Sequence, residues 1–199
     1  MPVARLAGNY RFTQYNYLNV KEKQMKHTMK TLALCAGLAF AATPALADSV
    51  KVPVNQVSGD GIGQEIGTVT FVDMPDGMDI LVDLAGLPAG EHGMHIHQNP
   101  TCAPGQQDGK NVAALAAGGH WDPADAKAHK GPANGGHKGD LPFVTANPDG
   151  TAKQTLSIKG LKTADIHGRS LMIHAGGDNY SDTPPLGGGG ARIACGVIQ

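Results

Sequence analysis

Residues 67–84, GTVTFVDMPDGMDILVDL, decide the fold class because they contain two strand-like segments joined by a tight turn. Every second residue from Met78 to Leu84 is apolar, and two of the three residues between them are aspartates. Alternation with a period of two is typical of a β-strand with one buried face. The turn residues Pro75, Asp76 and Gly77 stand between the two segments. The stretch therefore predicts an antiparallel hairpin.

Similar strand-like segments recur on both sides of this hairpin. They are VKVPVNQV (50–57), PFVTANPDGTAKQTLSI (142–158), RSLMIH (169–174) and ARIACGVIQ (191–199). No stretch has the length and period of an ordinary helix. Short strands separated by turn residues predict an all-β domain, a Greek-key antiparallel β-sandwich or barrel of immunoglobulin-like type.

Residues 98–142 have a different composition, rich in Gly, Pro, Asn, His and Asp. Only NVAALAAG (111–118) suggests a helical turn. Loops of this length are uncommon unless they are functional or disordered. A bound metal would order such a loop, so we expect long metal-binding loops on the β-domain.

The N-terminal part has the features of an export signal. Lys26 and Lys30 precede the apolar run TLALCAGLAFAAT, and Ala45-Leu46-Ala47 resembles a signal-peptidase site. We therefore expect a signal peptide at residues 25–47 and a mature domain at 48–199. Residues 1–24 stand upstream of a better start at Met25 or Met29, and we expect them to reflect an upstream start codon. The apolar run is too short for a stable membrane span, so no membrane anchor is expected.

Net charge and cysteine content limit the partners and the crosslinks that this protein is expected to have. Without residues 1–47 the chain keeps ten of its 16 Lys and Arg and 16 of its 17 Asp and Glu, a net charge of about −6. An acidic chain argues against nucleic acid as a partner. Cys102 and Cys195 remain, and an even pair in an exported chain is most simply one disulfide.

Three histidines lie within EHGMHIH (91–97). Residues i and i+2 of a strand point to one face, so His95 and His97 project together while Met94 and Ile96 face a core. Two imidazoles on one strand face can share a metal. His92 follows a turn and is interpreted as a structural histidine that hydrogen-bonds the backbone.

The long loop adds a second set of metal-ligand types, His120, His129, His137 and Asp140. Three imidazoles and one carboxylate form a complete tetrahedral set for Zn²⁺. His174, at the end of a predicted strand, could join His95 and His97 in a set that suits copper or zinc. The spacing thus predicts two metals without assigning each histidine to one of them.

Six motifs in order resemble the copper,zinc superoxide dismutases in their bacterial periplasmic form. They are GEHGMHIH (90–97), GGHWDP (118–123), HKGP (129–132), GHKGDLP (136–142), GRSLMIHAGGD (168–178) and GGGGARIACGVIQ (187–199). The resemblance covers nearly all of residues 48–199. It implies a β-sandwich of the same architecture and a periplasmic location.

The resemblance also implies a role for each matching residue, with one copper and one zinc ion per subunit. The implied copper ligands are His95, His97, His120 and His174, and the implied zinc ligands are His120, His129, His137 and Asp140. His120 is then a bridging ligand. Asp178 is implied to link ligands of the two metals, Arg192 to lie beside copper, and Cys102 and Cys195 to form the disulfide.

The implied activity is that of an antioxidant oxidoreductase, a superoxide dismutase that converts superoxide to O₂ and H₂O₂ as copper alternates between Cu(II) and Cu(I). Zinc would be structural, and Arg192 and His120 would act in catalysis. Lys110, in a loop insertion, is the expected substrate-steering lysine, and His167 is interpreted as structural. The bacterial members of the family differ from one another in oligomeric state, and a homodimer is one expected form.

Three alternative functions use the same residues. A periplasmic copper or zinc store or chaperone would bind metal without turnover, and Arg192 beside an open copper position favours the enzyme. A zinc hydrolase would need a general base, for which the sequence shows no evident Glu partner. A degenerate structural relative would have lost ligands, whereas every matched ligand position here is filled.

Overall fold

The structure, a computed structural model, describes residues 47–199 and is dominated by β-strands. The strands are β1 (Ser49–Ser58), β2 (Gly61–Met74), β3 (Gly77–Leu84), β4 (Gly90–His92), β5 (Met94–His97), β6 (Gly105–Gln107), β7 (Lys110–Val112), β8 (Val144–Ala146), β9 (Ala152–Lys159), β10 (Arg169–His174) and β11 (Arg192–Ile198). One short helix, α1, spans Thr163–Ile166. The predicted upstream extension, residues 1–24, and all but the last residue of the predicted signal peptide lie outside the described residues.

Seven strands form one antiparallel sheet in the order β5-β10-β11-β1-β2-β3-β9. Several neighbours, such as β11 and β1 or β3 and β9, are far apart in the chain, which is the Greek-key pattern. Strand β4 pairs with β8 and is separated from β5 by Gly93 alone, while a turn at 147–151 joins β8 to β9. The small β4–β8 sheet therefore connects with both ends of the large one. The predicted antiparallel all-β fold is confirmed.

The core is made by alternating side chains, as the sequence predicted for β3. Met78, Ile80, Val82 and Leu84 are buried, whereas Leu81 is 42% exposed. From β5, Met94 and Ile96 enter the same core and are fully buried. The opposite face of β5 is thereby left to His95 and His97.

The loop at 98–142 contains a hairpin that the sequence analysis missed. Strands β6 and β7 pair antiparallel around Asp108-Gly109, and both turn residues have positive φ, 52° and 73°. An Asp-Gly pair is a strong signal for such a turn, but the short flanking segments lack strand alternation. The expected helical turn is present as a three-residue 3₁₀ segment, Leu115–Ala117.

A disulfide connects this loop to the large sheet. Cys102 is bonded to Cys195 on β11 across a sequence separation of 93 residues, which confirms the predicted pairing. Both cysteines are buried against Met172 of β10. Among residues 47–199, no helix has the length and apolarity needed to cross a membrane.

Candidate metal centre

The centre is built on β5 and the end of β10. His95 and His97 are both at most 1% exposed, and their strand pairs with β10, which ends at His174. His174 is itself buried. Adjacent antiparallel strands thus bring three predicted ligands together, as the pattern of β5 indicated.

The long loop supplies the remaining groups by running alongside β5. Trp121 donates its backbone N–H to the Ile96 carbonyl, and the Trp121 carbonyl accepts from Gly139, both at 2.8 Å. Isolated bridges pair His97 with His120 and His95 with Asp140. These backbone contacts fix the positions of the two ligands that the loop brings closest to β5.

Four histidines form the first cluster, with ligand atoms all within 4.8 Å of one another. They are His95, His97, His120 and His174. One nitrogen of each ring has no hydrogen-bond partner although it is buried, namely His95 Nδ1 and the Nε2 atoms of His97, His120 and His174. Four unpaired imidazole nitrogens on rings this close together are a donor set that suits copper or zinc.

The other nitrogen of these rings is fixed by the protein. His97 Nδ1 donates to the Gly118 carbonyl at 2.9 Å, and His174 Nδ1 donates to the Gly190 carbonyl at 3.1 Å. His95 Nε2 lies 2.8 Å from a carboxylate oxygen of Asp178. Such bonds set the tautomer and the ring orientation, so each free nitrogen is ready to bind a metal.

A second cluster surrounds Asp140, which is fully buried. Asp140 Oδ1 lies 3.1 Å from His120 Nδ1 and 3.3 Å from His137 Nδ1, and Oδ2 lies 3.0 Å from His129 Nδ1. His129 Nδ1 and Asp140 Oδ2 make no hydrogen bond in spite of this distance. Two unbonded ligand atoms so close together are expected where both bind one ion, and the donor set of three imidazoles and a carboxylate fits zinc.

The composition of this second cluster differs in one residue from the expected zinc set. Its four mutually close ligand atoms come from His95, His120, His129 and Asp140. The side chain of His137 is 11% exposed and reaches only the edge of the cluster, at Asp140. The Nε2 atom of His95 is already bonded to Asp178, which leaves its Nδ1 for the first cluster.

His120 is shared by both clusters through different atoms. Its Nδ1 faces Asp140, while its Nε2 is buried and unpaired beside the other histidines of the first cluster. The His95 and His120 rings stack with their centroids 3.9 Å apart. The geometry therefore allows His120 to face two metals at once.

Asp178 joins the two clusters by hydrogen bonds to one histidine of each. Its Oδ2 accepts from His95 Nε2 at 2.8 Å and its Oδ1 accepts from His129 Nε2 at 2.7 Å. The backbone N–H of Tyr180 also donates to Oδ1. Gly187 packs so closely that a Cβ there would lie 2.0 Å from Oδ1, so only glycine fits beside this carboxylate.

Burial favours the neutral form of the four histidines of the first cluster. It lowers the pKa of His120 to about 4 and that of His174 to about 3, with neighbouring imidazoles adding to the effect. Burial also lowers the pKa of His95 and lowers that of His97 well below its usual value. Neutral imidazole is the form that binds metal, so these rings need not lose protons at neutral pH.

The two carboxylates are shifted toward the charged form. Burial by itself raises the pKa of Asp140, but the hydrogen bond from His120 and the nearby imidazoles outweigh it and lower the pKa. Burial likewise opposes ionisation of Asp178, and the hydrogen bonds from His95 and His129 hold its pKa far below the usual value. Both groups are therefore anions in the folded protein at neutral pH.

Arg192 lies beside the first cluster. A register shift in the β10–β11 pairing places it opposite His174, and its positive charge contributes to lowering the pKa of both His97 and His174. Its guanidinium donates to the carbonyls of Ala114 at 2.5 Å and Gly118 at 2.7 Å. The half-buried side chain is thus fixed by the loop that the disulfide attaches to β11.

Three residues singled out in the sequence lie outside the clusters. His92 is buried, with its ring nitrogens 2.8 Å from the His174 carbonyl and 2.7 Å from the Pro88 carbonyl, which agrees with the structural role predicted for it. His167 is exposed at the end of α1. Lys110 is exposed on β7, and its steering role stays a prediction.

Two hydrogen bonds that hold the loop of His129 had no signal in the sequence. Asp182 accepts a hydrogen bond from the backbone N–H of His129 at 2.9 Å, and the Tyr180 hydroxyl accepts from the Phe143 backbone at 3.1 Å. The Asp182–His129 contact spans 53 residues, and no local pattern could have indicated it. These bonds attach the loop after β10 to the loop that bears His129.

Comparisons with known proteins agree with this geometry. Residues 65–198 match the family model for copper/zinc superoxide dismutase. The copper-zinc superoxide dismutase of Brucella abortus is 50% identical over 173 residues, 86% of this chain and 100% of that protein. A solved Cu/Zn superoxide dismutase from Brucella abortus has a TM-score of 0.75 at 52% identity and covers 76% of this chain and 100% of its own. The monomeric copper, zinc superoxide dismutase from Salmonella enterica gives a TM-score of 0.70 at 50% identity, with the same coverage.

Proposed function

Since the chain belongs to the copper/zinc superoxide dismutase family, we propose that it converts superoxide to O₂ and H₂O₂ with one copper and one zinc ion per subunit. One observation supports this most strongly. Four buried, unpaired imidazole nitrogens converge beside a second cluster around Asp140, and His120 takes part in both. A two-metal site would use both nitrogens of His120 as ligands, with Nδ1 on the side of Asp140 and Nε2 beside the other histidines of the first cluster.

The proposed copper ligands are His95, His97, His120 and His174. The proposed zinc ligands are His120, His129, His137 and Asp140. When bound, copper supplies one-electron chemistry, in which Cu(II) accepts an electron from one superoxide and Cu(I) donates one to the next. Zinc, which has no accessible redox change, completes a closed structural site.

Arg192 binds the substrate in this proposal. Its Nη1 and Nη2 are tied to the Ala114 and Gly118 carbonyls, and the remaining N–H groups are free to donate to an anion. A guanidinium fixed in this way docks superoxide with little loss of side-chain freedom. The Gly118 carbonyl also accepts from His97, so one backbone group positions a proposed ligand and the substrate-binding arginine.

His120 is the proposed proton carrier, through its Nε2. Peroxide formation takes up protons, and Nε2 is the buried nitrogen of this ring that has no hydrogen-bond partner. Asp140 lies 3.1 Å from Nδ1 of the same ring, and zinc bound by both groups would keep the ring oriented. Asp178 holds His95 and His129, one proposed ligand of each metal, in a fixed relation.

We further propose that the protein acts in the periplasm as an antioxidant enzyme, after removal of residues 25–47. Bacterial relatives of the same family and the signal-like composition of this segment support the proposal. Cell fractionation followed by N-terminal sequencing tests it, with Asp48 expected as the first residue. A homodimer stays a prediction, since the relative from Salmonella enterica is described as monomeric. Sedimentation equilibrium of the mature protein tests it.

The activity is tested by measuring superoxide decay with mature protein loaded with copper and zinc or with zinc alone. We expect catalysis by the copper- and zinc-loaded protein alone, and a large loss in Arg192→Gln with both metals retained. His167→Gln, which removes an exposed histidine outside the clusters, is the matched control and should keep full activity. Tight binding of both metals without turnover would instead indicate a metal store or chaperone.

A further inference from the structure

The single tryptophan of the chain, Trp121, directly follows the shared histidine His120. It is 8% exposed and belongs to the main core cluster. Its ring has two cationic neighbours, the Arg169 guanidinium carbon at 4.1 Å from the ring centroid and Lys138 Nζ at 5.2 Å. A cation over the face of an indole is attracted by the ring, most strongly where water is excluded.

Arg169 makes the better-defined contact with the ring of Trp121. It is closer to the ring, and its Nε donates to the Asp165 carbonyl at 3.3 Å. Lys138 is shared with the carboxylate of Asp165 at 3.6 Å, and both of those side chains are more than one-third exposed. An exposed pair of this kind contributes little, so Arg169 is the stronger of the two cation contacts of the indole.

The guanidinium of Arg169 also contacts the segment that carries His97. Its Nη1 donates to the carbonyl of Gln98 at 3.4 Å, and Gln98 directly follows His97. The Gln98 backbone N–H in turn donates to the Gly119 carbonyl at 3.1 Å, next to His120. One side chain therefore touches the residues immediately after two of the proposed copper ligands.

We propose that Arg169 is a positioning residue of the copper site. By stacking on Trp121 and bonding the Gln98 carbonyl, it holds the backbone segments of His120 and His97 at the separation that lets their free nitrogens meet. This role rests on the ligand assignment of the proposed function. It requires no contact between Arg169 and substrate or metal.

A residue that only stabilises the fold, here called a brace, and a positioning residue have different effects when they are removed. Loss of a brace lowers the free energy of unfolding but leaves the metal site of the folded protein unchanged. Loss of a positioning residue changes how the folded protein binds copper. Copper affinity and the spectrum of bound Cu(II), both measured on folded protein, separate the two.

The experiment compares wild type with Arg169→Ala and Arg169→Lys at neutral pH with zinc bound. Copper affinity is measured by competition with a chelator, and the Cu(II) environment by visible absorption and electron paramagnetic resonance. Residues that directly orient a ligand typically change affinity about 10- to 100-fold, so we expect roughly a 3- to 10-fold loss for Arg169→Ala, which acts through the backbone. The Cu(II) spectrum should shift, and Arg169→Lys should recover part of the affinity.

The fluorescence of Trp121 reports independently on its contact with Arg169. In Arg169→Ala its fluorescence should shift to longer wavelength and become more accessible to quenchers. Combining Arg169→Ala with Trp121→Leu should lower copper affinity little more than either change alone, because both break one contact. Lys153→Ala, which removes an exposed cation paired with Asp83, is the matched control and should change none of these values.

The proposal is overturned if folded Arg169→Ala binds copper with wild-type affinity and an unchanged Cu(II) spectrum, or if the effects of Arg169→Ala and Trp121→Leu simply add. These readings do not depend on turnover. If the loaded wild type fails to dismutate superoxide while Arg169→Ala still weakens copper binding, the proposed activity is wrong and the positioning role stands.

Discussion

At the scale of single residues, the two nitrogens of each imidazole have separate tasks. In His95, His97 and His174 one nitrogen is bonded to a carboxylate or a carbonyl, and the other is buried without a partner. The sequence indicated these residues from strand alternation and from motif resemblance. It could not indicate which nitrogen is free, because the bonding partners lie between 16 and 83 residues away.

Asp178→Asn tests the link between the two clusters. An amide accepts through one oxygen only, so His95 and His129 can no longer both donate to the same side chain. We expect zinc affinity to fall by roughly 10- to 100-fold, measured by chelator competition. Asp83→Asn, an exposed change on β3, is the control, and equal zinc affinities in the two variants would contradict the linking role.

Burial of the histidines predicts how the metal-free protein responds to acid. Below pH 6.5 the unfolded chain binds protons that folded His120, with its pKa near 4, does not bind. Stability must therefore decrease as pH falls from about 6.5 to about 4, by about 3 kcal/mol for His120 alone. Urea unfolding of chelator-treated protein at several pH values measures this, and stability that stays level or rises on acidification would oppose the prediction.

At the scale of the elements, β5 is the strand that connects core and site. Its alternation was readable because one face is apolar and the other carries His95 and His97. The β6–β7 hairpin could not be predicted from alternation, since three-residue strands are too short to show it. Only the Asp108-Gly109 turn indicated the hairpin. The register shift before His174, which places Arg192 opposite that ligand, arises from pairing between distant segments and has no signal in the sequence.

Ile96→Ala tests how β5 supports the site. Ile96 is fully buried, so truncation leaves a cavity beneath the two histidines. We expect the free energy of unfolding to fall by about 2–5 kcal/mol, measured by denaturant titration. Leu81→Ala, a truncation of a 42%-exposed residue on the same sheet, should cost less than about 1 kcal/mol. Similar losses in both variants would show that Ile96 does not make a core contribution.

At the scale of the whole molecule, one disulfide joins the long loop to the last strand. Cys102 follows the strand that bears His97, and Cys195 follows Arg192 on β11. The loop beyond Cys102 supplies the Ala114 and Gly118 carbonyls that fix Arg192. The fold class and this bond were predicted from the sequence, whereas the attachment of the His129 loop by Asp182 and Tyr180 depends on contacts that only the folded chain creates.

Replacing both cysteines by serine tests this connection. Removing a crosslink that closes so long a loop is expected to cost about 2–5 kcal/mol of unfolding free energy. Activity should fall further than metal content does, because Arg192 loses the fixed position of its carbonyl partners. A double variant with unchanged stability and unchanged activity per bound copper would contradict both expectations.

The proposed function depends on His120 joining a copper site and a zinc site. Crystals of the metal-loaded protein, measured with anomalous diffraction at the copper and zinc absorption edges, test it most directly. We expect two distinct ions, with His120 Nε2 and His95 Nδ1 bound to copper and His120 Nδ1, His129, His137 and Asp140 bound to zinc. A single ion within the two clusters, or a His120 bound to one metal while His95 completes the zinc site, would contradict it.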